Sequence, residues 1–213
     1  MFFSRVDQFI ETAIQNKELP GAVLAVANTK DVLYCKAFGM AHIEEQIPMS
    51  EQTIFDCASL TKVVATASSV FLLLQQGFID LDDSISYYFP ELKLRHEEVR
   101  IRHLLTHTSG FRAEIKFYKE GIAYTDIVER IAQEKGRGSV EQQVIYSDVN
   151  YIVLGKLIEK VTGISLGDYA HKHIFQPLGM HNTLINPPAQ LQGKIAATEY
   201  RTYLNKQQRS EEQ

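Results

Sequence analysis

A chain of 213 residues with 45% hydrophobic content holds enough apolar mass to bury a real core, which excludes a disordered or fibrous polymer. The net charge is −4 and the lysines and arginines are scattered, so no basic stripe is available for nucleic acid. The apolar runs, Val70 to Leu74 among them, are far too short to span a bilayer, and Arg5, Asp7 and Glu11 stand where a secretory apolar core would be. The chain therefore reads as cytosolic, and Cys35 and Cys57 read as free thiols.

In chain order, Ser4 to Asn16 reads as an amphipathic helix, with Val6, Phe9, Ile10, Ala13 and Ile14 on one face and Ser4 with Asp7 able to cap its start. Residues 22–29 and 32–39 are β-branched and aromatic runs separated by Lys30 and Asp31, which predicts an antiparallel hairpin. No third strand is convincing. From Ala58 onward helical signals dominate: Ser59 to Gln76 closed by Gly77, Thr125 to Glu134 closed by Gly136, and Asp148 to Val161 closed by Gly163. Ser165 opens a further short helix with Asp168 in the capping-box position, and Pro177 stops it. The organisation expected is a partial α/β subdomain over 1–56, a helical region over 57–188 and a polar, frayed tail over 189–213.

One feature of the helical region is chemically unusual. Ser59 and Lys62 are three residues apart at the start of an apolar helix, and positions i and i+3 lie roughly 5–6 Å apart on one face. This sets an amine beside a hydroxyl. A helix N-terminus favours a developing alkoxide, and burial would lower the lysine's pKa so that it could act as a base. The plain alternative is an N-capping serine followed by a lysine that reaches for solvent. The tetrad Ser-x-x-Lys alone does not decide between them.

The surrounding order of elements does more. Helix, hairpin, TIFDCASLTK, a buried helix, GFIDLDDSISYYFPELK, IRHLLTHTSG and the later QPLGMHNT together resemble the serine β-lactamase and penicillin-binding protein superfamily, over about Asp7 to Thr198. The resemblance is to the branch holding class C β-lactamases, D-alanyl-D-alanine carboxypeptidases and related esterases. It implies an α+β, β-lactamase/transpeptidase-like fold: an N-terminal helix and hairpin of an incomplete antiparallel sheet plus a large all-helical region. It also implies Ser59 as nucleophile and Lys62 as its proton-transfer partner.

The family's second motif, Tyr-x-Asn, has three candidates here: Tyr124 to Asp126, Tyr146 to Asp148, and Tyr203 to Asn205. The first supplies the cap of a surface helix and the last lies in the tail. Tyr146 stands 87 residues after Ser59 and is followed by a strongly apolar helix, so it is the expected base. Asp148 departs from asparagine and is the expected substrate-side residue. Ionised, it only accepts hydrogen bonds, so it would keep Lys62 charged and leave Tyr146 as the working base.

Other chemistries fit less well. His103 and His107 are four apart, but a zinc helix of the His-Glu-x-x-His kind needs glutamate where Leu104 stands, and His107 with Thr108 instead suits a turn ending at Gly110. No metal or other cofactor is expected. Relatives place Lys-Thr-Gly or His-x-Gly on a strand after the tyrosine motif; the only such match here, Lys119 to Gly121, precedes Tyr146. The expectation is a chain truncated before that motif. Two functions stay open: a serine hydrolase acting by acyl transfer on a D-Ala-D-Ala peptide, β-lactam or ester through a Ser59 acyl-enzyme, or an impaired remnant that at most binds acyl compounds or complements another fragment. Its partners would be such an acyl substrate and, through open sheet edges, other copies of itself.

Overall fold

Ser4–Gln15 forms the first helix, but not in the way the sequence suggests. Its N-cap is Phe3, with no side-chain cap hydrogen bond. Asp7 is instead drawn to the sheet, where it accepts from the Tyr34 hydroxyl at 2.6 Å and from Lys36 Nζ at 2.9 Å. A charged donor is a stronger partner for a carboxylate than a neutral backbone N–H. On the expected apolar face only Ala13 is buried, and Phe9 is 75% exposed.

In the computed structural model, which describes residues 3–96, 98–135, 138–198, 200–203 and 206–209, the chain divides into two units. One comprises residues 1–57 and 187–213, the other residues 58–186.

The first unit is built on a three-stranded antiparallel sheet in the order β1 (Gly21–Ala27), β2 (Val32–His42), β3 (Ile47–Pro48). The register pairs Gly21 with Gly39 and Ala27 with Val32, with an irregularity between Val26 and Ala27. The turn is set by Asn28, whose Oδ1 accepts from the backbone N–H groups of Lys30 and Asp31 at 2.7 and 2.8 Å. Gly39 has φ +68°, and a Cβ there would lie 2.4 Å from the Pro20 carbonyl oxygen, so only glycine fits. The expectation of two strands is thus corrected by β3, whose two residues are too few to show alternation. The segment after Pro188, expected to fray, forms a 3₁₀ helix at Ala189–Lys194, a parallel bridge from Ile195 to Ile54, and a hairpin, β4 (Tyr200–Tyr203) with β5 (Lys206–Arg209).

The second unit is helical. Its longest helix, Asp148–Thr162, places Val149, Val153, Leu154, Leu157 and Ile158 in the core with no exposure, against Val70, Leu73, Ile101, Leu104 and Ile131. Ser147 caps its start by accepting from the Asn150 N–H, and Gly163, at φ +74°, ends it. The expected Ser59 to Gln76 helix is a π-helix over Lys62–Ala67 and an α-helix over Ser68–Gln75. The Ser68 hydroxyl donates to the Val63 carbonyl five residues back at 2.8 Å, matching the wider π turn. The expected Thr125 helix opens as a 3₁₀ turn, Tyr124–Asp126, and becomes α-helical only over Ile127–Ala132; its expected closing residue, Gly136, lies outside the described residues. Ser165 caps Leu166–Ala170 by accepting from the Asp168 N–H at 3.0 Å. No helix among the described residues is long and apolar enough to cross a membrane.

Candidate active site

Ser59 lies in the turn that feeds the Lys62–Ala67 helix. Ala58 before it holds φ +42°, an uncommon conformation for a residue with a side chain, and the next turn closes through Lys62 N–H to Ser59 O at 3.1 Å. The serine is exposed, whereas the Lys62 side chain is only 13% exposed. Lys62 Nζ donates to Ser59 Oγ at 3.2 Å and to Asp148 Oδ1 at 2.6 Å, and it stands 4.9 Å from the centre of the Tyr146 ring. All four residues singled out from the sequence, Ser59, Lys62, Tyr146 and Asp148, are therefore brought together.

The loop carrying Tyr146 and Asp148 is held by the segment that follows the Ile101–Leu105 helix. The buried Ser147 hydroxyl donates to the Arg112 carbonyl at 2.5 Å, and the Asp148 N–H donates to the Ala113 carbonyl at 2.7 Å. On the other side, the Ile145 N–H donates to the His107 carbonyl at 2.9 Å and the Ser147 N–H donates to His107 Nδ1 at 3.1 Å. Asn150, 1% exposed, ties this together: its Oδ1 accepts from the Ser109 hydroxyl at 2.6 Å, and its Nδ2 lies 3.3 Å from His107 Nδ1. Gly110 allows the close approach, since at φ +75° a Cβ would meet the Gly138 carbonyl oxygen at 2.4 Å. We expect Asn150→Ala to destabilise the chain by about 1–3 kcal/mol, because it strands the buried Ser109 hydroxyl and removes one donor to His107. Urea unfolding measures this, and a change below about 0.5 kcal/mol would show the buried bonds to be dispensable.

Electrostatics separate the roles these groups can take. Burial pulls the Lys62 ammonium down, but hydrogen bonds to Asp148 and Tyr146, together with their charges, outweigh it and the net shift is upward. Of the two expectations for Lys62, a lowered base or a lysine held charged by Asp148, the 2.6 Å contact with the carboxylate favours the charged form. Tyr146 moves the other way. Hydrogen bonding to Ser59 and then to Lys62, with the Lys62 charge adding, holds its phenol below the ordinary tyrosine range. Burial and the Lys62 charge also lower His107, which favours the neutral imidazole. An exposed serine hydroxyl, a lowered phenol and an ammonium held by a carboxylate within one contact network are an arrangement that suits proton transfer from the serine to the tyrosine.

The other expected positions fall elsewhere. Tyr124 donates to Glu159 Oε1 at 2.8 Å beneath the Lys156 ammonium, so it belongs to a helix-to-helix cluster. Asn205 of the third triplet lies outside the described residues. His103 accepts from the Arg100 N–H through Nδ1 and pairs with Glu141 through Nε2, closing the start of its own helix. Among the described residues, no group of histidine, cysteine and carboxylate side chains is placed to hold a metal ion. The sequence reading did not select His107, Ser147 or Asn150 as site residues. Ser147 was legible as the N-cap of the Asp148 helix, whereas His107 and Asn150 meet only through tertiary folding.

Fold and site together define the β-lactamase/transpeptidase-like class. Residues 6–210 match the family described as Beta-lactamase, and the chain belongs to that family. It is 34% identical over 184 residues to penicillin-binding protein 4* of Bacillus subtilis (strain 168), covering 82% of this chain and 40% of that protein. It is 31% identical over 208 residues to a putative D-alanyl-D-alanine carboxypeptidase of Escherichia coli (strain K12), covering 84% of this chain and 47% of that one. Among solved structures, the octameric penicillin-binding protein homologue from Pyrococcus abyssi superposes with a TM-score of 0.80 at 27% identity, covering 98% of this chain and 50% of its own. The chain thus spans about half the length of the curated relatives it matches.

Proposed function

We propose that the protein is a serine acyl-transfer hydrolase in which Ser59 is the nucleophile, Tyr146 its general base and Lys62 the cation that keeps the phenol acidic. What supports this is one convergence: Lys62 Nζ touches both Ser59 Oγ and Asp148 Oδ1, and the Tyr146 phenol is lowered by the same serine and lysine. In the first step the Tyr146 phenolate takes the Ser59 proton, Oγ bonds to the substrate carbonyl carbon, and the tetrahedral adduct expels the leaving group. That group departs with the proton held by Tyr146. Water, activated by the same phenolate, then attacks the ester, releasing a carboxylic acid and restoring the Ser59 hydroxyl.

The substrate class proposed is a D-alanyl-D-alanine peptide, a β-lactam or a carboxylic ester, with Asp148 on the substrate side of the site. The names of the relatives support the first two. Acylation is the step to test first. On incubation with a fluorescent penicillin or an activated ester, a covalent adduct should form on Ser59, located by intact mass and peptide mapping, and be absent in Ser59→Ala. Labelling that persists in Ser59→Ala would overturn the assignment. The alternative, acyl binding without a completed cycle, is separated by following product release over several equivalents of substrate.

Self-association belongs to the same proposal. Among the described residues β1 has a strand partner on one side only, and an open edge is a template for another chain; the Pyrococcus abyssi homologue is octameric. Light scattering coupled to size-exclusion chromatography should give a mass that rises with concentration. A constant monomer mass across a hundredfold range would remove this part.

A further inference from the structure

His107 is the group that the proposed chemistry does not use and the geometry does. It follows the Ile101–Leu105 helix at φ +59°, a left-handed conformation that a residue with a Cβ adopts only where its surroundings hold it. Its ring lies 4.7 Å from the Tyr146 ring and 5.2 Å from the Tyr151 ring. Two donors converge on one ring nitrogen. The Ser147 N–H approaches Nδ1 at 3.1 Å, and Asn150 Nδ2 approaches it at 3.3 Å. At its other end Asn150 Oδ1 accepts from the Ser109 hydroxyl at 2.6 Å, and Ser109 Oγ in turn accepts the Phe111 N–H, which leaves Nδ2 toward His107.

We propose that His107 is the positioning residue for Tyr146: through an unprotonated Nδ1 it pins the backbone at Ser147, one residue beyond the tyrosine, while its ring backs the phenol ring. An imidazolium would place a third hydrogen at Nδ1 against two converging donors, so the contact exists only for the neutral ring with its proton on Nε2. The charged and titratable groups facing it are Lys62 and Asp148, with Tyr146 and Tyr151 as ring neighbours. Lys62 opposes protonation of the ring and Asp148 favours it. The consequence is a site that loosens in acid, as the ring gains its second proton and releases the Ser147 N–H.

The inference rests on Tyr146 being the base, so its test includes a readout that does not need turnover. The variants are His107→Phe, which keeps a ring and removes the acceptor, and His107→Asn, whose Oδ1 can take the place of Nδ1. In His107→Phe the acylation rate by an activated ester should fall on the order of 10–100-fold with little change in the concentration dependence, as expected for a misplaced reacting group. The Tyr146 phenol, followed by ¹³C NMR at Cζ, should titrate higher than in the wild type. His107→Asn should restore both. Unchanged Tyr146 titration in a folded His107→Phe, or equal losses in the Phe and Asn variants, would overturn the proposal. If His107→Phe does not fold, His107→Asn decides alone: a wild-type Tyr146 titration upholds the acceptor role and a raised one contradicts it. Failure of Ser59 to label in the wild type would instead count against the nucleophile assignment and leave the Tyr146 titration to judge His107.

Discussion

Tyr146→Phe should slow acylation of Ser59 by on the order of 10²–10⁴-fold, the range that a positioned general base contributes. The substitution removes one oxygen from a side chain that is 55% exposed and keeps the ring that packs against His107, so thermal stability should hardly move. The pH profile carries the sharper information. Because the phenol is lowered, the wild-type acylation rate should climb with pH through an inflection below that of ordinary tyrosine and then level off as the phenolate saturates. Tyr146→Phe should lose that limb as well as the rate. Stopped-flow labelling across pH measures both, and a variant that acylates within threefold of the wild type would remove Tyr146 from the chemistry.

Leu157→Ala should cost about 2–5 kcal/mol of stability, the range seen when a fully buried leucine leaves a cavity. Leu157 has no exposure and belongs to the cluster that joins the Asp148–Thr162 helix to the Ile101–Leu105 and Ile127–Ala132 helices. That helix carries Asp148 in its first turn, so its packing sets where the carboxylate meets Lys62. With total stabilities of roughly 5–15 kcal/mol for a domain, the loss is a large share. Urea unfolding should show the midpoint falling with an unchanged slope. A loss under about 1 kcal/mol would mean that the helix is held by other contacts.

The parts of the site that depend on local sequence were legible in it. Ser59 and Lys62 are three residues apart, so helical geometry alone predicts that they face one another, and Tyr146 stands just before a long apolar helix. What the sequence could not convey was the distance: Asp148 was expected to keep Lys62 charged, and its 2.6 Å approach is the contact that lets the ion pair outweigh burial. His107 shows the same limit. From the chain it is a turn residue before Thr108, and its role appears only when Ser147 and Asn150, some forty residues on, bring two donors to its ring. At the level of fold, the β1–β2 hairpin was visible as two β-branched and aromatic runs separated by Lys30 and Asp31, whereas β3 and the 3₁₀ and π segments are too short to leave a periodic trace. Asp7 reads as a cap from the sequence because its partners, Tyr34 and Lys36, lie on another element.

In the proposed chemistry Lys62 serves as a fixed cation and Tyr146 as the base it makes acidic. Selective ¹³C labelling at tyrosine Cζ, with the Tyr146 signal assigned by its loss in Tyr146→Phe, measures that relationship without any substrate. The Tyr146 resonance should titrate below the ordinary tyrosine value of about 10 in the wild type and move upward in Lys62→Met, where the cation is gone. A wild-type inflection at or above that value, or one indifferent to Lys62→Met, would contradict the account.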